Sequence, residues 1–202
     1  MNRNAKGRWN VVLSGYPNSG KTILARRLVA EYPGFVRINV DLLREMLFNE
    51  APPCRDEYTV YSLIAEMRDA LLRRGYSVVI DSTAPDNVTR EFLMSARAKR
   101  VNELLVIFNV DREVLKRRSV ARCGDANLVF AWDKRWDEPR KECCLFKFRS
   151  NNMEEFEDYY SLLTEVLESE THPFKPEFRP KMSPLKEVRT RLRTFLSRGS
   201  KS

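Results

Sequence analysis

The chain has 202 residues, which suits one α/β domain with an appendage and excludes two full domains. Its net charge of +8 is unevenly placed: residues 171–202 hold a balance of +7, and residues 1–170 hold the remaining +1. A basic tail on a nearly neutral body indicates a polyanionic partner such as nucleic acid, although a solvated tail without any partner has the same composition.

The composition argues against membrane, secreted and zinc proteins. No apolar run reaches membrane length, and the N-terminus lacks the apolar stretch of a signal peptide, so we expect a cytoplasmic protein without membrane association. The four cysteines show no C-x-x-C spacing, and His172 is the only histidine. The sequence therefore offers no set of zinc ligands.

The first predicted strand, residues 9–14, leads directly into a glycine turn and a predicted helix over 23–30. The turn fits the pattern G-x-x-x-x-G-K-[ST] at every fixed position, and a chance match in a chain of this length is on the order of one in a hundred. The pattern therefore predicts a phosphate-binding P-loop. Its residues are Gly15, Tyr16, Pro17, Asn18, Ser19, Gly20, Lys21 and Thr22.

Each fixed position of this loop has a chemical reason. Gly15 and Gly20 allow backbone conformations that point successive N–H groups at phosphate oxygens, and the helix N-terminus adds partial positive charge. Lys21 is placed to reach the β- and γ-phosphates, and the Thr22 hydroxyl is a hard oxygen ligand for Mg²⁺. The loop predicts a bound nucleotide with Mg²⁺ but does not specify a reaction.

A second strand is predicted over 35–40, and Asp41 follows it as the expected N-cap of the next helix. Arg44 then lies one turn into that helix. Both side chains are expected near the carboxyl end of the strand, which is the edge where ligands bind in open α/β sheets. A long helix is predicted from Asp56 to Arg74.

The third predicted strand, residues 76–81, ends in Asp81. An aspartate in this position matches the acid that helps to hold Mg²⁺ in P-loop enzymes, although it could also simply cap the next turn. A helix over 86–100 and a fourth strand over 103–110 follow. This alternation of strands and helices predicts a parallel sheet covered on both faces.

The predicted lid comes next, over about 111–142. Its basic helix begins after Asp111 and stops near Gly124, and Arg118 and Arg122 lie on one face of it at i, i+4 spacing. The rest of the lid is expected to be irregular. Its tryptophans, Trp132 and Trp136, either pack the lid or stack on bases.

A fifth strand over 143–149 and a helix over 153–168 complete the predicted domain, residues 1–170. The extension 171–202 begins with prolines and then predicts an amphipathic helix with basic flanks. This helix could dock on the body or on a second subunit, bind a polyanion, or associate with a membrane. The oligomeric state cannot be read from the sequence.

These motifs resemble the kinase branch of P-loop proteins, most closely the polynucleotide 5′-kinase group, over roughly residues 9–168. The resemblance implies a P-loop kinase fold: a five-stranded parallel sheet sandwiched by helices, with an arginine-bearing lid. Seryl-tRNA kinases and zeta-toxin-like kinases share this skeleton. Many bacterial members of the group have an asparagine where this chain has Ala84, a departure that weakens the polynucleotide assignment.

The resemblance also implies roles for particular residues. Asp41 would be the general base, Arg44 and Arg90 would bind and orient the acceptor, and Arg118 and Arg122 would stabilise charge on the transferred phosphoryl group. The residue types favour a carboxylate base independently of the resemblance. The only histidine lies in the tail, so a carboxylate is needed to accept the hydroxyl proton.

The function expected from this resemblance is ATP- and Mg²⁺-dependent transfer of a γ-phosphoryl group to a hydroxyl of a nucleic acid, either a 5′-OH end or a tRNA. A small-molecule kinase of the same fold is the first alternative, because the skeleton does not set the acceptor. A non-catalytic, regulatory nucleotide-binding module is the second. The preference for ATP over GTP is not readable from the sequence.

Overall fold

A computed structural model describes residues 3–140 and 144–169. The basic extension 171–202, including its predicted amphipathic helix, lies outside the described residues.

The strands form one five-stranded parallel sheet in the order β2-β3-β1-β4-β5. The strand that leads into the P-loop is therefore central, which places the loop at the middle of the carboxyl edge of the sheet. The expected parallel sheet is confirmed. The strands are β1 Arg8–Ser14, β2 Phe35–Asn39, β3 Ser77–Asp81, β4 Val101–Asn109 and β5 Leu145–Arg149.

Helices cover both faces of this sheet. Val11 and Leu13 of β1 pack in one buried cluster, whereas Val12 packs in a second cluster on the opposite face, as the two-residue period of a strand requires. The expected sandwich of helices around the sheet is confirmed. The helices are α1 Lys21–Glu31, α2 Val40–Phe48, α3 Glu57–Arg73, α4 Asn87–Met94, α5 Arg112–Cys123, α6 Leu128–Asp133 and α7 Met153–Glu168.

The cap of α2 differs from the prediction. Asn39, and not Asp41, is the N-cap, because the Asn39 side chain accepts a hydrogen bond of 2.7 Å from the backbone N–H of Leu42. Asp41 lies instead in the first turn of α2, where its carboxylate has no capping role. The predicted N-cap was wrong by two residues.

The helix predicted over 86–100 ends early, at Met94. Arg68 of α3, buried beneath it, donates to the carbonyls of Phe92, Leu93 and Ser95 at 3.1, 2.8 and 2.8 Å. These bonds satisfy the last carbonyls of α4 without another helical turn. The C-terminal half of the prediction was wrong because a residue distant in sequence supplies the helix stop.

The lid contains more regular structure than the sequence suggested. Its basic helix α5 ends as predicted at Gly124, which takes a left-handed conformation with φ 72°. The short helix α6 then forms in the segment expected to be irregular, and its own Val129 is buried in the core. None of the helices in the described ranges has the length and apolar character needed to cross a membrane.

Candidate active site

The P-loop has the backbone that its glycines predict. Gly20 adopts φ 99°, and a side chain at Gly15 would place its Cβ 2.7 Å from Cβ of Phe108. Asn18 also has a positive φ, 65°. Left-handed residues in such a loop turn N–H groups toward a common centre, which is how a loop binds anions without side chains.

Lys21 is buried within this loop. Its Nζ donates to the carbonyls of Gly15 and Tyr16 at 2.9 and 2.6 Å and to Oγ of Ser19 at 3.2 Å. Burial lowers the pKa of Lys21 to about 8, and the charges of Asp81 and Asp41 act in the opposite direction. Both carboxylates thus lie close enough to influence the P-loop lysine.

The predicted metal ligands are together. Oγ1 of Thr22 donates to Oδ2 of Asp81 over 3.0 Å, and Asp81 is 3% exposed. A hydroxyl and a carboxylate are hard oxygen ligands that fit Mg²⁺. No group of three or more Asp, Glu, His or Cys side chains that could hold a metal ion occurs in the described part of the chain.

Asp41 is the accessible carboxylate of the site, with 62% of its side chain exposed. Its Oδ1 accepts a hydrogen bond of 2.5 Å from Nη1 of Arg44. Arg44 itself is buried, and its Nε and Nη2 donate to the two carboxylate oxygens of Glu57, each at 2.8 Å. Arg44 thus bridges Asp41 and Glu57, and its expected contact with the acceptor stays a prediction.

Glu57 is the residue that sequence reasoning missed here. It is 4% exposed at the first position of α3, and it also accepts a hydrogen bond from the backbone N–H of Cys54. Nothing in its spacing connects it with Arg44, thirteen residues earlier. A buried arginine needs a buried partner, and that requirement was the one signal that could have pointed to it.

Arg90 is buried and directed at backbone carbonyls. It is 1% exposed, and its guanidinium donates to the carbonyls of Ala84, Pro85 and Asp137 at 2.8–2.9 Å. Its Nε also donates to Oγ of Ser14. Arg90 therefore ties the loop after β3 to the lid, and its expected role in orienting the acceptor stays a prediction.

Arg118 and Arg122 do reach the P-loop from α5. Nη1 of Arg118 donates to the Asn18 carbonyl at 3.4 Å, and Nη1 of Arg122 donates to Oδ1 of Asn18 at 3.2 Å. Nη2 of Arg118 also donates to the carbonyl of Ser150, just after β5, at 2.5 Å. Both arginines line a cavity of about 400 Å³, large enough for a nucleotide, beside the loop. Its lining residues are Asn18, Gly20, Lys21, Thr22, Ile23, Arg118, Arg122, Ser150, Asn152, Met153 and Phe156.

The lid also contacts the P-loop on its other side. The rings of Trp136 and Tyr16 lie 4.9 Å apart, and Cζ of Arg90 lies 4.5 Å from the centre of the Trp136 ring. The Tyr16 hydroxyl donates to Oδ1 of Asp133 at 2.8 Å. Of the two expectations for Trp136, lid packing is the one observed.

Several solved structures share this fold. A gluconokinase from Sinorhizobium meliloti 1021 is 20% identical with a TM-score of 0.59, and the match covers 82% of this chain and 96% of that one. The Mycobacterium tuberculosis APS kinase CysC, in complex with AMPPNP and APS, is 17% identical with a TM-score of 0.60, over 82% and 99%. A chain of a Pnkp1/Rnl/Hen1 complex is 24% identical with a TM-score of 0.51, over 61% and 41%. At these identities the likeness shows the fold alone.

A family model, described as an AAA domain, matches residues 11–141. The matched range is more than half of the chain and includes the P-loop, Asp41, Asp81 and the lid arginines. No curated protein is similar enough in sequence to count as a relative. The chain therefore belongs to the AAA domain family and has a P-loop kinase-like fold.

Proposed function

We propose that the protein is an ATP- and Mg²⁺-dependent kinase that transfers the γ-phosphoryl group to a hydroxyl. The observation that carries this proposal is the grouping of Lys21, the Thr22–Asp81 pair and the exposed Asp41 at one edge of the sheet, beside a cavity of nucleotide size. A binding module needs the first two features. It does not need an accessible carboxylate held beside them.

Each residue has a defined task in this reaction. The P-loop amides and Lys21 hold the phosphates, and Thr22 and Asp81 would hold Mg²⁺. When bound, the ion neutralises phosphate charge and orients the β- and γ-oxygens. Arg118 and Arg122 place two cations beside the polyphosphate, where negative charge develops during transfer.

Asp41 receives the proton of the attacking hydroxyl. Its ion pair with Arg44 holds the carboxylate in a fixed orientation, and Glu57 fixes Arg44 from behind. A base must present an oxygen within hydrogen-bond reach of the acceptor, and the exposed position of Asp41 allows this. Arg44 and Glu57 act through Asp41 as positioning residues.

We infer that the acceptor is a nucleic acid. The exposure of Asp41 suits a large acceptor that delivers one hydroxyl from solvent, and the basic extension 171–202 suits a polyanion. The Pnkp1/Rnl/Hen1 complex is described as an RNA repair complex, which is consistent with this inference. The gluconokinase and the APS kinase favour the rival, a small-molecule acceptor.

The test combines one substitution with a panel of acceptors. Asp41→Ala should retain ATP binding and lose at least about 100-fold in transfer, because proton removal is lost while the donor site stays intact. The matched control is Glu45→Ala, which removes an exposed carboxylate one turn along the same helix. Unchanged turnover of Asp41→Ala would reject Asp41 as the base.

The acceptor panel comprises 5′-OH oligonucleotides, tRNA, gluconate and other small alcohols, each with labelled ATP. Transfer to an oligonucleotide or tRNA supports the inference, and transfer to small alcohols alone contradicts it. Nucleotide binding without transfer to any acceptor would indicate the regulatory module instead of a kinase.

A further inference from the structure

Arg37 contacts the aspartate assigned to the metal site, a contact that the sequence did not suggest. Its Nε and Nη2 donate to Oδ2 of Asp81 at 3.0 and 2.6 Å. The same oxygen accepts a bond of 2.8 Å from Nδ2 of Asn39 and one of 3.0 Å from Oγ1 of Thr22. Four donors therefore converge on the oxygen that faces the Thr22 hydroxyl.

The architecture of β2 explains how Arg37 reaches this position. Arg37 and Asn39 are two residues apart on the strand, so their side chains lie on the same face of the sheet. Asn39 pairs in register with Asp81 of the neighbouring strand. Since β2 is an edge strand, the arginine can extend along the sheet border toward Asp81 and remain only 17% exposed.

A cation at Oδ2 competes with a metal ion at the same oxygen. Each oxygen of a carboxylate has about two lone-pair sites. Oδ2 of Asp81 already accepts four hydrogen bonds. Mg²⁺, or a water in its shell, therefore has to displace a donor. Arg37 is the donor that also repels the incoming ion, because it carries the same sign of charge.

We propose that Arg37 is a positioning residue that competes with Mg²⁺ for Asp81, so that the ion enters only together with the phosphates of a nucleotide. The phosphates supply the additional ligands and negative charge that make displacement of Arg37 favourable. This inference rests on the proposed Mg²⁺–nucleotide site at Thr22 and Asp81. It adds to that site Arg37, as the residue that sets how much Mg²⁺ nucleotide binding needs.

The test is a Mg²⁺ titration of the full chain at fixed concentration of a fluorescent ATP analogue, read as binding and not as turnover. Arg37→Gln should lower the half-saturating Mg²⁺ concentration about fivefold or more, the lower range of a typical coupling between two ligands. Mg²⁺ alone should raise the melting temperature of Arg37→Gln and leave that of the wild type unchanged.

Two controls distinguish the specific Arg37–Asp81 pair from a general change of charge. Arg26→Gln removes an exposed cation one turn beyond Thr22 on α1, and it should leave the Mg²⁺ titration within about twofold of the wild type. In a protein that already carries Asp81→Asn, adding Arg37→Gln should not change the half-saturating Mg²⁺ concentration. Residue 81 then has no charged oxygen for which Arg37 and Mg²⁺ could compete. An equal shift in Arg26→Gln would reduce the effect to general electrostatics and overturn the proposal.

Arg37→Lys covers the case in which Arg37→Gln does not fold. It keeps the charge but cannot donate from two nitrogens, so its half-saturating Mg²⁺ should fall between those of the wild type and Arg37→Gln, and an unchanged or higher value overturns the proposal. If the wild type shows no Mg²⁺-dependent nucleotide binding, the proposed function itself fails. If it does and Arg37→Gln needs as much Mg²⁺ or more, Arg37 stays on Asp81 in the loaded protein and only this inference fails.

Discussion

At the scale of single residues, the burial of Lys21 predicts that nucleotide binding depends on pH. Its ammonium group is surrounded by loop carbonyls, and burial lowers its pKa from 10.5 to about 8. A lysine with a lowered folded-state pKa makes the protein less stable below pH 8 and more stable as pH rises from 8 to 10.5. The buried charge therefore costs stability at neutral pH, and a polyphosphate ligand would offset this cost by supplying a countercharge.

Nucleotide binding should therefore take up a proton in mildly alkaline solution. At pH 8.5, above the lowered pKa, Lys21 is largely deprotonated in the free protein, and bound phosphate raises its pKa again, so binding should take up a substantial fraction of a proton. Calorimetric titrations in buffers of different ionisation enthalpy measure it directly. Lys21→Arg is the control, because it keeps a cation for the phosphates but does not titrate in this range, so its binding should show no uptake. Equal uptake at pH 7 and pH 8.5 would contradict the assignment to Lys21.

At the scale of elements, the lid is attached to the P-loop at both of its ends. Helix α5 reaches the loop through Arg118 and Arg122, and the segment after α6 reaches it through the packing of Trp136 on Tyr16. Burial and the hydrogen bond to Asp133 raise the pKa of Tyr16 to about 12, so this hydroxyl remains a donor at physiological pH. From these contacts we expect the position of the lid to be coupled to the conformation of the P-loop.

Trp136→Ala tests this coupling. Removing the half-buried ring leaves Tyr16 and Arg90 without their packing partner, and we expect a loss of about 2 kcal/mol in unfolding free energy. Nucleotide affinity should fall by about threefold or more, because the loop loses its support. Thermal unfolding and fluorescent-nucleotide titration measure the two effects.

The matched control for that experiment is Trp132→Ala. The Trp132 ring is also partly buried, and it contacts the guanidinium of Arg135 within the lid, at 5.5 Å from the ring centre. Its removal should leave nucleotide affinity nearly unchanged. Equal reductions of affinity in both variants would mean that the lid acts through its overall stability and not through the packing of Trp136 on Tyr16.

At the scale of the whole molecule, charge is divided between the body and the extension. Residues 171–202 hold nine Lys and Arg against two Glu, whereas the rest of the chain is nearly neutral. Binding of such a segment to phosphates depends steeply on salt, because each neutralised phosphate releases bound counterions. The extension is therefore the part of the chain where an acceptor of nucleic-acid type is most directly tested.

Replacing the nine Lys and Arg of 171–202 by Gln in the full chain keeps its length and removes that charge. Affinity for single-stranded RNA should fall, and the slope of log K against log salt should become shallower by about 0.7 for each phosphate that the extension no longer neutralises. ATP binding serves as the internal control and should not change. RNA binding that is unaffected, with the same salt slope, would favour a small-molecule acceptor.

The sequence by itself determined the P-loop, the alternation of strands and helices, and the aspartates at the carboxyl ends of β2 and β3. These features are local: the P-loop is continuous in the chain, and its glycines determine its backbone. The apolar periodicity that distinguishes strands from helices is likewise contained within single segments of the chain. The stop of α5 at Gly124 was readable for the same reason, and the early stop of α4 was not, because Arg68 supplies it from another helix.

Only the tertiary structure decided which groups the arginines contact. Arg37 reaches an aspartate 44 residues away, Arg44 pairs with Glu57, and Arg90 turns inward to backbone carbonyls. A guanidinium on a long, flexible side chain can be satisfied by any nearby carboxylate or carbonyl, so packing selects the partner and no local pattern encodes it. Residue type and position predicted which side chains gather at the carboxyl edge of the sheet, and the fold selected the partner of each arginine.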